Sequence, residues 1–345
     1  MKIIITIDTE ADNQWEPGNT LETKNIAYLP RFQSLCEQYG FKPTYLCTFE
    51  AIHSREFDAT MGTFLGRGKA EVGAHLHPWS NPPYELLCSG KSGGRAYPSE
   101  LSARAFADKV TVLTEAIERK TAVRPGSYRA GRWGFCAEHI PILEALGYRA
   151  DCSVTPLISW ASHPGKDLPG PDFRGAPAKP YFLNHADVRM AGDSSLLEVP
   201  VTIVLTSALA RIPAVSRLLA RIANKPYARA LGRLLRVLRG PQWFRPWPHS
   251  SARDMIRVYR ASERAALPVV EMMLNSSELT AGASPFYPTG ASVEKLYAKL
   301  ERVFRYVADA GAEGTTLRAL AEDHMASTRP HILKTAHELP LRRAA

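Results

Sequence analysis

Lys2-Ile3-Ile4-Ile5-Thr6-Ile7 runs directly into Asp8-Thr9-Glu10, and this junction decides how the rest of the chain is read. A run dominated by β-branched apolar side chains predicts a buried strand. Carboxylates immediately beyond it predict a reactive strand end. With a side-chain period of two, Asp8 and Glu10 project to the same side if the extended backbone continues through them. In parallel α/β architectures such polar strand ends gather at one mouth, so other apolar runs that finish in polar residues are expected to share it. Asp8 is equally suited to capping a turn, as a lone Asp after a strand commonly does.

Working outward, further strands are predicted at Pro43 to Thr48, Ala70 to His75, Ser127 to Arg129 and Tyr148 to Ser153. Helical patterns separate them near 26–39, 50–66, 100–120 and 136–146, with Gly40 and Gly147 where helix C-caps are expected. Strands follow at Leu196 to Leu205 and Val269 to Leu274, and helices near 251–266, 291–311 and 316–325. This alternation predicts βα units wrapped into a parallel sheet or barrel. One domain over 1–330 is expected, with an irregular Pro- and Gly-rich excursion over 155–195, a basic helical insertion over 207–240, and a tail over 331–345.

The second strand end that carries chemistry is His75-Leu76-His77. Two imidazoles at i and i+2 on an extended backbone can face one ion, and a carboxylate beside them completes a three-ligand hydrolytic metal site with an open position. A His-x-His pair alone is equally compatible with simple packing; the acidic pair is what favours metal. Arg129 and Arg132 follow the next strand in Ser127-Tyr128-Arg129-Ala130-Gly131-Arg132-Trp133-Gly134. A buried arginine there would hold a carboxylate ionised and oriented, whereas an exposed pair would flank a glycine turn. Asp151 closes another strand, as a site residue or a turn-former. Trp79, Arg132, Trp133 and Asp151 are the candidate substrate-binding residues.

With 345 residues, 45% hydrophobic and 22% charged, the chain can bury a substantial core. The cysteines at 36, 47, 88, 136 and 152 form no Cys-x-x-Cys pair, which argues against a disulfide framework or a thiolate zinc site and for packing roles. Met1 leads straight into the first strand and no apolar run approaches membrane length, so a cytoplasmic protein is expected. The net charge is +9 and unevenly spread: Ser207 to Gly240 contains no Asp or Glu. There Arg229, Arg233 and Arg236 fall on one side of a helical wheel and Leu231, Leu234, Leu235 and Leu238 on the other. Such a helix suits the inner face of an anionic membrane or a lipid diphosphate, or its leucines pack on the barrel and its arginines are merely solvated. No aromatic interleaving accompanies the charge, so nucleic acid is not expected as a partner.

The order of these motifs resembles a divergent subgroup of the polysaccharide deacetylase superfamily, the NodB-homology proteins grouped as carbohydrate esterase family 4. The resemblance covers most of the chain. Thr6-Ile7-Asp8-Thr9-Glu10 is similar to the family's Thr-Phe-Asp-Asp motif with the second acid displaced by one, and Glu71-Val72-Gly73-Ala74-His75 to its Glu-Ile-Gly-Asn-His motif. Tyr128 to Gly134 resembles Arg-x-Pro-Tyr-Gly with one extra residue, and Gly147 to Asp151 occupies the following strand. The resemblance implies a distorted (β/α) barrel of about seven parallel strands. It implies a divalent metal, expected to be Zn²⁺, and removal of an acetyl group from an N-acetylated sugar of a cell-surface polysaccharide or lipopolysaccharide precursor. Asp8 would be the general base, Glu10, His75 and His77 the metal ligands, and Arg129 the residue that orients Asp8.

The sequence departs from the family pattern twice. The usual second histidine lies four residues after the first, where this chain has Trp79, so His77 serves only if the backbone is rearranged around it. The family's late motif ends in a histidine that protonates the leaving amine, and the matching strand here ends at Asn275. Asparagine supplies no proton, which leaves His163, His185 and His249 as substitutes, or a catalytically silent protein that binds a glycan or a partner. An amidohydrolase acting on a non-sugar amide is the remaining alternative, because fold does not fix substrate.

Overall fold

Among the described residues the apolar runs become twelve short strands in chain order: β1 (Lys2–Thr9), β2 (Thr44–Cys47), β3 (Glu71–Leu76), β4 (Ser127–Ala130), β5 (Ala150–Asp151), β6 (Tyr181–Asn184), β7 (Asp187–Ala191), β8 (Leu197–Glu198), β9 (Ile203–Val204), β10 (Gln242–Trp243), β11 (Val269–Asn275) and β12 (Glu313–Gly314). The structure is a computed structural model that describes residues 1–14, 21–84, 95–207 and 240–328. Seven strands run parallel in the order β11-β1-β2-β3-β4-β5-β8. The two ends of that sheet curl towards each other. The Thr202 N–H donates to the Glu271 carbonyl at 3.3 Å, and the Glu271 N–H to Thr202 Oγ1 at 2.8 Å. The architecture is the expected distorted α/β barrel.

Alternation along β1 separates two environments. Ile3, Ile5 and Ile7 pack in the large cluster beneath the surrounding helices, whereas Ile4 joins Leu46, Ala150, Leu197, Leu317 and Leu320 in a separate one. That second cluster seals one end of the barrel beneath the last helix, Leu317–Thr328. Thr6 and Asp8 share the parity of Ile4 and continue the inward-facing row toward the other end. Register then fixes which strand ends meet: Asp8 lies opposite Asn275 and Leu46, and His75 opposite Arg129.

Some expectations change at the level of elements. The helix expected over 50–66 is interrupted at His53-Ser54, because the Ser54 hydroxyl accepts from the Phe57 N–H and caps a new helix, Arg55–Gly66. The strand expected over Leu196 to Leu205 is two short pieces, β8 and β9, on either side of Pro200, which has no N–H for a ladder. The excursion over 155–195 is not irregular throughout: β6 and β7 form an antiparallel hairpin, and β6 also joins β8. Its apolar Tyr181-Phe182-Leu183 run was outweighed in the composition by the surrounding prolines and glycines. Gly40 and Gly147 do follow helices in the left-handed region, at φ 74° and 90°. The basic segment bearing Arg229, Arg233 and Arg236, the tail over 331–345 and Cys88 lie outside the described residues. Cys36, Cys47 and Cys152 are buried and free. No helix among the described residues is long and apolar enough to cross a membrane.

One buried histidine outside the barrel mouth makes the fold sensitive to acid. The His139 ring stacks on Phe106, with centroids 3.7 Å apart, and lies near Phe135. Burial pushes its imidazole down to about 3. The folded value is depressed, so the unfolded chain binds the proton first, and stability present above about pH 6.5 is lost as pH falls. At pH 5 the expected loss is about 2 kcal/mol. Urea midpoints at pH 7.5 and 5.0 should therefore diverge more for the native chain than for His139→Phe; equal losses in the two would remove this account.

Candidate active site

At the C-terminal ends of β1 and β3 the side chains of Glu10, His75 and His77 converge, and their ligand atoms all lie within 4.8 Å of one another. All three residues are buried. Glu10 Oε2 stands 3.0 Å from His77 Nε2 and 3.6 Å from His75 Nε2. Zinc–nitrogen and zinc–oxygen bonds of about 2.0–2.2 Å at tetrahedral angles set donor atoms roughly 3.3–3.6 Å apart, so the Glu10–His75 pair stands within that range, while Glu10 and His77 are at hydrogen-bond distance and would part by a few tenths of an ångström around a cation. The orientation of His75 also fits. Its Nδ1 lies 3.0 Å from the Arg129 carbonyl and donates to it, which leaves Nε2 as the lone-pair atom aimed at the carboxylates.

His77 needs no displaced backbone beyond the strand end. β3 finishes at Leu76, and the His77 ring is held by packing, 4.7 Å from His75 at 81° and 4.4 Å from the Trp79 ring. Gly131 closes the other side, where a Cβ would lie 2.4 Å from His77 Nδ1 and 2.5 Å from the Leu76 carbonyl. Burial alone would raise the Glu10 carboxyl, but the hydrogen bonds and charges of His75 and His77 outweigh it and hold it at about 2. Burial holds His77 down at about 4, while Asp8 and Glu10 overcome burial to raise His75.

Asp8 sits beside this triad with its two oxygens differently occupied. Oδ1 accepts from Arg129 Nη1 at 2.6 Å, and Oδ2 is 3.9 Å from His75 Nε2. Arg129 is fully buried in the barrel interior: Nε donates to the Cys152 carbonyl at 3.1 Å, and Nη2 to Thr6 Oγ1 at 2.8 Å and to Glu271 Oε1. Of the two readings of Arg129, the buried one is what the fold contains. Burial opposes its charge, but Asp8 and Glu271 outweigh that and raise it.

Asn275 belongs to the triad's support. Its Nδ2 donates to Glu10 Oε1 at 2.6 Å, which leaves Oε2 to the histidines, and its Oδ1 accepts from Arg245 Nη2 at 3.3 Å. Arg245 is buried, ion-paired with Glu278, and lies 3.9 Å over the Trp247 ring. Nothing in the sequence singled out Arg245, Glu278 or Trp247, since Arg245 and Trp247 come from an irregular segment and Glu278 from a single 3-10 turn, Ser276–Leu279, too short to show a period.

Above the triad opens a cavity of about 410 Å³ lined by every tryptophan among the described residues: Trp79, Trp133, Trp160, Trp243 and Trp247. Trp133 and Trp160 stack at 6.3 Å and 17°. Asp8, Glu10, His75, His77, Trp79, Arg129, Arg132, Trp133 and Asn275 all reach this cavity. Asp151, expected as a substrate contact, does not line it. It is buried below the mouth, where its carboxylate accepts from the Ser153 N–H and O–H at 2.9 Å, the turn-forming alternative. Of the three histidines considered as acids, His163 lines the cavity; His185 is on the surface bonded to Glu144, and His249 stacks on Trp247 facing a neighbouring recess.

No protein-family model and no curated protein matches the sequence. Solved structures do. A Mycobacterium smegmatis protein provisionally assigned as a polysaccharide deacetylase aligns over 100% of this chain and 94% of its own, at 14% identity and a TM-score of 0.53. A Parabacteroides distasonis protein provisionally assigned as a glycoside hydrolase/deacetylase aligns over 95% of this chain and 72% of its own, at 10% identity and a TM-score of 0.58. The seven-stranded barrel therefore shares its fold with these two solved structures.

Proposed function

We propose that this protein is a divalent-metal-dependent hydrolase that releases acetate from an N-acetylated sugar of a cell-surface polysaccharide or lipopolysaccharide precursor. The observation that carries this reading is the buried convergence of Glu10, His75 and His77 beside Asp8 at the floor of an aromatic cavity. Two imidazoles and one carboxylate suit Zn²⁺. A bound divalent cation supplies polarisation of the acetyl carbonyl and a lowered pKa for attacking water. Asp8 accepts the water proton on Oδ2, while Arg129 grips Oδ1 and fixes the orientation of the carboxylate. The tryptophans offer apolar faces to a sugar ring and exclude water from the reacting centre.

Expulsion of the amine is the weaker half. Both polar ends of Asn275 are engaged, by Glu10 and Arg245, and an amide has no proton to give. His163, a cavity-lining histidine outside the triad, is the group that serves instead. The engaged amide also favours a second reading, a silent protein that keeps the metal site and binds a glycan. The acid-free stretch from Ser207 to Gly240 suits an anionic membrane surface or lipid diphosphate presenting such a precursor, with the protein at the inner face.

The test strips the protein with chelator, restores Zn²⁺, and measures metal stoichiometry together with acetate release from N-acetylated sugars and non-sugar amides. One metal per chain and metal-dependent release from a sugar is the expected result. One metal without release, and release gained in Asn275→His, would support the silent reading. A chain that takes up no metal sinks both.

A further inference from the structure

The cavity that holds the triad is also lined by a guanidinium that the proposed deacetylation does not use. The Arg132 side chain donates to the Arg95 carbonyl, to the Pro164 carbonyl at 3.1 Å and to the Tyr97 hydroxyl at 3.3 Å, with its Cζ 4.1 Å over the Tyr97 ring. Each of these partners is neutral. By contrast, Arg129 meets Asp8 and Glu271, and Arg245 meets Glu278. Among the described residues no carboxylate pairs with Arg132. A second guanidinium, that of Arg95, lines the same cavity and lies 4.7 Å over the Trp79 ring.

The fold builds this arrangement at a cost. Arg132 and Trp133 both sit in the left-handed region, at φ 55° and 65°, a strained conformation for residues that carry a Cβ. The glycines on either side are packed without space for a side chain. A Cβ at Gly131 would strike His77, and one at Gly134 would lie 2.7 Å from Pro98 and 2.8 Å from the Tyr97 Cβ. The turn is therefore wedged between a residue of the candidate metal site and the Tyr97 wall, and its strain persists because both sides over-determine it.

From these observations we infer that Arg132, with Arg95 beside it, forms an anion subsite, and that the sugar taken by this cavity carries a carboxylate or a phosphate. Guanidinium forks match the paired oxygens of both groups, and Arg132 has none but neutral partners among the described residues. A neutral acetamido sugar gives Arg132 nothing to recognise. The inference rests on the reading of the cavity as a sugar site, but its test reads binding and not turnover.

Isothermal titration of the full, Zn²⁺-loaded protein compares methyl N-acetylglucosaminide, N-acetylglucosamine 6-phosphate and N-acetylmuramic acid. At least one charged sugar should bind about 10-fold or more tightly than the neutral one, as expected of a charge-assisted contact, with the advantage shrinking between 50 and 500 mM NaCl. The phosphate and carboxylate arms identify which anion is preferred. The advantage should largely vanish in Arg132→Gln and be partly retained in Arg132→Lys, with circular dichroism unchanged. Equal binding of charged and neutral sugars, no binding of either charged sugar, or an advantage untouched by Arg132→Gln would each overturn the subsite. If Arg132→Gln fails to fold, the charge preference and salt dependence of the native chain decide the matter alone. Failure of acetate release in the presence of charge-selective binding would count against the hydrolase and leave the subsite standing.

Discussion

Glu10→Ala is expected to weaken Zn²⁺ binding by more than about 100-fold and to abolish any metal-dependent acetate release, a larger effect than loss of a ligand's supporting hydrogen bond. Glu10 Oε2 is the point on which both imidazoles converge, at 3.0 and 3.6 Å, and the carboxyl is held at about 2, so it is charged throughout the working range. Removing it leaves two neutral donors and strips the cation of its balancing charge. It also leaves the Asn275 amide, 2.6 Å from Glu10 Oε1, without its partner at a cost of about 1–3 kcal/mol. Glu10→Gln separates the effects, because it keeps an oxygen for Asn275 and loses only the charge. Equilibrium dialysis with ⁶⁵Zn, together with the rise in melting temperature on adding Zn²⁺, reads both variants. Stoichiometric, tight zinc in Glu10→Ala would show that the triad is not where the cation binds.

The second large effect is structural. Arg129→Met should destabilise the fold by about 3–5 kcal/mol, the usual consequence of removing one partner from a buried ion pair. Arg129 is fully buried between Asp8 and Glu271, and its Nη2 also satisfies the Thr6 hydroxyl. Without it two carboxylates remain in a low-dielectric interior and at least one must take up a proton. Burial already raises the Glu271 carboxyl despite Arg129, so Glu271 is a group that takes up a proton once the guanidinium is gone. Pairing Arg129→Met with Glu271→Gln should accordingly recover part of the loss. Urea midpoints of the single and double variants measure this, and a cost under about 1 kcal/mol for Arg129→Met would contradict the buried-pair account.

What the sequence disclosed follows from how local its signals are. Lys2 to Glu10 and Ala70 to His77 are continuous segments in which apolar runs announce strands and a period of two aligns the chemistry at their ends, so the triad was readable without a fold. Arg129 was readable only as a choice between buried and exposed, because burial is decided by strands far away in the chain. The role of Asn275 was hidden for the same reason. Its position as a strand end was clear, but its hydrogen bond to Glu10 depends on β11 lying beside β1 with Asp8 opposite Asn275. Trp160, Trp243, Arg245 and Trp247 gave no signal at all, since they approach the cavity from short or irregular segments where periodicity carries no information. Asp151 carried the same strand-end signature as Asp8 and turned out to serve its own turn, which shows how little that signature discriminates alone.

The sheet order has a consequence for a chain still emerging from the ribosome. β1 is made first and is flanked in the finished sheet by β2 and by β11, 267 residues further along at the paired positions Lys2 and Val269. A nascent chain that has emerged through β8 already contains Glu10, His75, His77 and Arg129, yet lacks Glu271 to share the arginine and Asn275 to aim the carboxylate. Closing so long a loop is slow and comes late. The candidate centre is therefore complete only once β11 has been made, and chains cut short before it hold the triad and Arg129 without Glu271 and Asn275.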